Sequence, residues 1–152
     1  MLAALTLATG CGSSGSSTTG PSDISVETGS LSKAEFIKQA DAACEANRKQ
    51  FDLEYAAFIK TKLRKGADEQ AIQAELVDTI IIPSYGKDVE EISALGAPSG
   101  DEQQVTSFLM SLQKRLNELH EKPSELSNEM FDAPAKLATA YGLDGCVKSL
   151  IG

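Results

Sequence analysis

Tryptophan is absent from this chain, histidine occurs once, and basic charge is scarce: 14 Lys and Arg stand against 22 Asp and Glu, a formal net charge of -8. Residues 1–30 supply only Asp23 and Glu27, so the rest of the chain is itself acidic. That balance argues against a nucleic-acid partner, which needs clustered positive charge to displace counterions from phosphates. The aromatics are few (Phe36, Phe51, Tyr55, Phe58, Tyr85, Phe108, Phe131, Tyr141), and most fall at core spacing in the helices read below. Flat stacking platforms for sugars or bases are therefore not expected. The apolar run from Leu2 to Thr9 is far shorter than the roughly 20 residues a membrane helix requires. At 152 residues there is room for one domain. A folded part of about 120 residues can bury roughly two-thirds of its unfolded surface, enough for a core without metal support.

The N-terminal run ends in Ala8-Thr9-Gly10-Cys11, small side chains preceding a cysteine. It resembles the lipobox of bacterial lipoproteins, with two departures. Ala8 stands where leucine is usual, and no Lys or Arg precedes the apolar run, the first lysine being Lys33. The resemblance implies cleavage between Gly10 and Cys11, a diacylglyceryl group on Cys11, and a basic leader upstream of Met1. Residues 1–10 are read as signal peptide. Residues 12–30, rich in Gly, Ser and Thr, cannot bury enough apolar surface to fold and read as a tether. Such a segment has a typical span of roughly 22–26 Å, which would hold the 31–152 domain close to the membrane.

The domain reads as all-α, an antiparallel bundle of about four helices. Ser32 and Glu35 make a capping box with Leu31 stapling onto Phe36, and Ile37, Ala40, Cys44, Phe51, Tyr55, Phe58 and Leu63 recur at helical spacing. The first helix is thus expected over Lys33 to Lys65, with Gly66 as its stop. A second stripe, Ile72, Leu76, Ile80, Ile81, Tyr85, Val89, Ile92 and Leu95, is interrupted by Pro83, where a kink or break is expected. After a loop at 96–100, Val105, Phe108, Leu109, Leu112, Leu116 and Leu119 give the cleanest stripe, ended by Pro123. The remainder, with Leu126, Met130, Leu137, Ala138 and Tyr141, reads as one broken or two short helices around Pro134, closing at Gly142. No stretch alternates as a strand, and short loops let the stripes bury one another.

With Cys11 assigned to lipid, Cys44 and Cys146 remain as an even pair in an exported chain and read as one disulfide tying the first helix to the tail. The competing readings are a reactive thiol or a metal site. Neither cysteine lies in a CxxC, and His120 is the one available nitrogen ligand. The segment Phe36 to Arg48 and the closing Tyr141-Gly142-Leu143-Asp144-Gly145-Cys146 resemble secreted lipoproteins of actinobacterial type, end to end over the domain. That resemblance implies a compartment and a disulfide, with no activity and no functional residue to carry over.

Chemistry-bearing patterns are weak. His120 lies outside any ExxH or HExxH and reads as a surface residue near a helix end. Three SxxK matches (Ser30/Lys33, Ser84/Lys87, Ser111/Lys114) lack the partner motifs of penicillin-binding enzymes. Ser99-Gly100 has the wrong spacing for a nucleophile elbow, so Ser99 or Asp101 is expected to cap the following helix. Asp41 and Asn47, flanking Cys44 near the apolar face, are expected to make structural hydrogen bonds. Lys60, Lys62, Arg64 and Lys65 could meet anionic headgroups, but fit the favourable place for cations at a helix C-terminus. Asp88, Glu90 and Glu91, with Glu125, Glu129 and Asp132, read as a solvated face.

These readings imply no cofactor, metal or catalytic residue. The expected function is a non-catalytic interaction module, partnered with the membrane through its lipid and with an envelope protein or small apolar ligand. Two other classes carry specific expectations. A binder of small molecules or lipid would show a cavity between helices lined by Phe108, Leu112 and Tyr55. An envelope hydrolase would show converging carboxylates, or a nucleophile beside a base.

Overall fold

Ser32 and Glu35 close on each other as their spacing predicts. The Glu35 carboxylate accepts from the Ser32 amide at 3.1 Å and from its hydroxyl at 2.6 Å, and the Ser32 Oγ accepts from the Glu35 amide at 3.3 Å. From this box α1 runs over Lys33–Lys62. The computed structural model describes residues 24–62 and 68–152, so the predicted end of α1 at 63–66, the signal peptide and Cys11 lie outside the described residues.

The second stripe forms α2 (Glu69–Leu76) and α3 (Ile82–Ala94), joined by a π turn over Val77–Ile81. Of the kink or break expected at Pro83, the break does not occur; the chain stays helical from Glu69 to Ala94, with its irregularity in the π turn just upstream. In the π turn the Ile82 amide reaches back to the Val77 carbonyl, five residues away. Widening one turn upstream lets the proline ring enter the first turn of α3, where an ordinary helix would present a clashing carbonyl and a bond lacking its donor. This rod runs antiparallel to α1, with Lys62 bridging to Glu75 at one end and Asn47 bonding Asp88 further along.

The third stripe is α4 (Glu102–Glu121), and all six of its predicted apolar positions are buried. Pro123 begins a short 3-10 turn, Pro123–Glu125. Pro134 does not break the next helix but lies buried in the first turn of α5 (Asp132–Tyr141), a position that tolerates its missing donor. Gly142, at φ 97°, ends α5 with its amide on Ala138 and Thr139 while the Leu143 amide returns to Ala138, a left-handed cap that a side chain would strain. The tail then forms a short helix of its own, α6 (Asp144–Ile151), running in the same sense as α1. All-α organisation closed by a disulfide is thus what the chain adopts, with α6 as a short rod added to the stripes. Among the described residues β structure amounts to an isolated bridge between Thr28 and Ala97.

That bridge belongs to a strap. Residues 24–30, read from composition as tether, lie along α4: Val26 is buried, its amide meets the Thr106 hydroxyl, and the Thr28 hydroxyl donates to Glu102 at 2.6 Å. The Gly29 amide donates to Ala97 and the Ala97 amide to Glu27. A Cβ on Gly96, itself at φ 66°, would meet the Gly29 Cα at 2.7 Å, so this crossing requires glycine.

Candidate functional site

One face of α1 organises the polar and covalent chemistry of the bundle. Cys44 is bonded to Cys146 with an S–S distance of 2.00 Å and a Cα separation of 4.9 Å, and both are buried. Such closeness between α1 and α6 needs Gly145, where an added Cβ would lie 2.7 Å from the Cβ of Asp41. The Asp41 carboxylate accepts from the Cys146 amide at 3.1 Å, and burial pushes its pKa up while the amides of Cys146 and Gly145 oppose the shift. Arg48 lies farther along α1, donating to the carbonyls of Lys148, Ser149 and Gly152 and to the Asp52 carboxylate at 2.8 Å.

Between these two lies Asn47, 5% exposed, whose Nδ2 donates to Asp88 Oδ1 at 2.7 Å and to Glu91 Oε2 at 3.0 Å. Asp88 is 2% exposed. Its pKa is pushed up to about 6, first by burial and further by Glu91, against the opposing Asn47 bond and Lys87 charge. This corrects the solvated-face reading for Asp88. It sits three residues after Tyr85 and four before Ile92, on the apolar stripe of α3, a spacing already present in the sequence. Asp41 and Asn47 make the structural bonds expected of them.

Next to this cluster the aromatic rings line up. Tyr55 stacks on Phe51 at 5.8 Å between centroids, Phe51 meets Tyr85 at 5.8 Å, and Tyr85 meets Phe131 at 4.6 Å. The Tyr85 hydroxyl donates to the Ser149 carbonyl, and burial raises its pKa to about 12. Phe51, Tyr85 and Phe131 wall an open groove of about 390 Å³ with Ile81, Met130 and Leu150. It is not the cavity expected from sequence: Phe108 and Leu112 are sealed in the core at 1% exposure, whereas Tyr55 is 41% exposed.

The other singled-out residues take surface roles. His120 Nδ1 lies 3.1 Å from Asp78 on an exposed face. In each SxxK pair the lysine meets a carboxylate: Lys33 with Asp101, Lys87 with Glu91, Lys114 with Glu118. Asp101 holds the N-cap position of α4 but makes no cap bond. Its carboxylate instead accepts from the Tyr141 hydroxyl at 2.8 Å, and that bond together with Lys33 lowers its pKa, while burial first and the Asp101 bond second raise that of Tyr141. Lys33 also sits 4.1 Å from the Tyr141 ring centroid. Lys62 pairs with Glu75, while Arg64 and Lys65 lie outside the described residues. Among the described residues no group of three His, Cys, Asp or Glu side chains is placed to hold a metal, and no helix is long and apolar enough to cross a membrane. Compared with protein families, curated proteins and solved structures, the chain finds no match.

Proposed function

We propose that this chain is an exported domain, tethered through Cys11 to the outer face of the cell membrane and acting there as a non-catalytic interaction module. The observation that carries the reading is the buried Cys44–Cys146 bond, because such bonds persist where thiols are oxidised and are rare in reducing compartments. It accounts for two of the three cysteines and leaves Cys11, in its lipobox-like setting, as the third. With the strap at 24–30 pinned to α4, residues 12–23 are all that separates Cys11 from the described fold. The bundle is then held within reach of headgroups and envelope proteins.

The test is expression in a bacterial host, fractionation of the cells, and comparison with Cys11→Ala. The reading expects the parent in the membrane fraction with a lipid mass on its N-terminal peptide and the variant released. An unmodified Cys11, or a variant that stays with the membrane, contradicts it. A second reading, a binder of small molecules, is favoured by the aromatic groove, whose volume falls in the usual range of ligand sites.

A further inference from the structure

We infer that the groove between α1, α3 and α6 is a binding site for a small soluble organic cation with an apolar or aromatic body, such as an aryl- or alkylammonium. The inference goes beyond the tethering role and does not depend on Cys11. Phe51, Ile81, Tyr85, Met130, Phe131 and Leu150 contribute to the apolar part of the wall, and none of the side chains that line the groove is charged. Three of these six are aromatic, and Tyr55 extends the run of rings outward by stacking on Phe51. The Tyr85 hydroxyl is engaged by Ser149, and Tyr85 and Phe131 are buried at the base of the groove, so the half-buried Phe51 and the exposed Tyr55 present most of the ring surface.

The sign of the ligand follows from what surrounds those rings. The chain carries a net charge of -8, and exposed Glu129 and Asp132 adjoin the lining residues Asn128, Met130 and Phe131 in the segment that closes the groove. A nearby cation, Arg48, has its guanidinium engaged by the carbonyls of Lys148, Ser149 and Gly152 and by Asp52, which leaves little to hold an anion. That same guanidinium lies 5.9 Å from the Phe51 centroid, so one end of the aromatic run already attracts a cation. Ring faces carry negative potential, and aromatic sites of this kind hold quaternary ammonium groups. Acidic side chains at the rim raise the local concentration of cations without being buried by them.

The test is a titration of isotopically labelled protein with benzyltrimethylammonium, followed by NMR on the ring and methyl signals, with 4-methylbenzenesulfonate as an anion of similar size. The inference expects saturable shifts at Phe51, Tyr85, Phe131 and Met130 with the ammonium and none with the sulfonate. Phe51→Leu keeps an apolar wall and removes a ring face, and should weaken binding about two- to fivefold. Glu129→Gln changes only an exposed rim charge and should weaken it about twofold, an effect that salt abolishes. Equal binding of both probes, no saturable shift at the groove, or unaltered binding in both folded variants would overturn the assignment. Should Phe51→Leu fail to fold, Glu129→Gln and the pair of probes decide alone.

Discussion

Asp41 and Arg48 stand two turns apart on α1 and hold opposite ends of α6, the carboxylate at its first amides and the guanidinium at its last carbonyls. Each charge matches the partial charge of the helix end it meets, and the disulfide is anchored between them at Cys44. An eight-residue helix is too short to persist alone in water, so α6 exists because α1 supplies both caps and a covalent tie.

Arg48→Met should therefore loosen α6 while leaving the other helices in place. The expected cost is about 1–2 kcal/mol, from losing charge-assisted bonds to carbonyls. Hydrogen exchange read by residue should show lost protection in Val147–Ile151 and little change in α4. Uniform loss across the bundle would contradict a local capping role.

Asp88 gives a pH signature whose sign is fixed. Burial raises its folded pKa from 3.8 to about 6, so between those values the folded protein holds a proton that the unfolded chain has released. Its contribution to stability is thus full below about pH 4 and lost as pH rises toward 6, a change of about 3 kcal/mol. Asp88→Asn keeps an oxygen for Asn47 and removes the charge. It should raise stability at pH 7 by about 1–3 kcal/mol and flatten the urea-derived stability between pH 4 and 6 relative to the parent. Parallel profiles for parent and variant would show that Asp88 does not titrate with folding.

The strap predicts that the fold begins before Leu31. Val26→Ala should cost about 1–2 kcal/mol through lost burial, whereas substitutions at exposed Ser25 should be neutral. Equal tolerance at both positions, read by thermal melting, would return residues 24–30 to the tether.

Gly145→Ala should damage the α1–α6 seam by about 1–3 kcal/mol, because the new methyl collides with Asp41 where neither helix can withdraw without straining the disulfide. A variant that keeps the melting temperature of the parent would show that the helices can part.

What was legible in the sequence was whatever depends on period and neighbours. The α4 stripe from Val105 to Leu119 is buried in full, and the Ser32–Glu35 box forms as spaced. The paired cysteines were legible from their number and from the expected compartment. The unread features depend on distant partners. α6 lacks a long stripe and is made helical by α1, and the strap is polar in composition yet seated by Val26 and Thr28 against α4. The charge of Asp88 points to solvent, although its place three residues after Tyr85 puts it on the inner face, where Asn47 receives it. Pro83 looks like an interruption in the sequence because the π turn that absorbs it has no composition of its own. The groove has no signature in the sequence because its rings come from α1, α3 and the segment before α5, which the sequence separates widely.

Closure of α1 onto the tail through Cys44 and Cys146 also supports the proposed export, and mass spectrometry of non-reduced peptides from protein recovered from intact cells tests it most directly. Alkylation at harvest followed by digestion should yield one linked species joining the Cys44 and Cys146 peptides, with no alkylated form of either. Its separation of 102 residues makes the bond worth about 4–5 kcal/mol in the chain-entropy view, so reduction should also lower the melting temperature. Two alkylated free thiols in freshly isolated protein would contradict both the closure of the bundle and the export on which the proposed function stands.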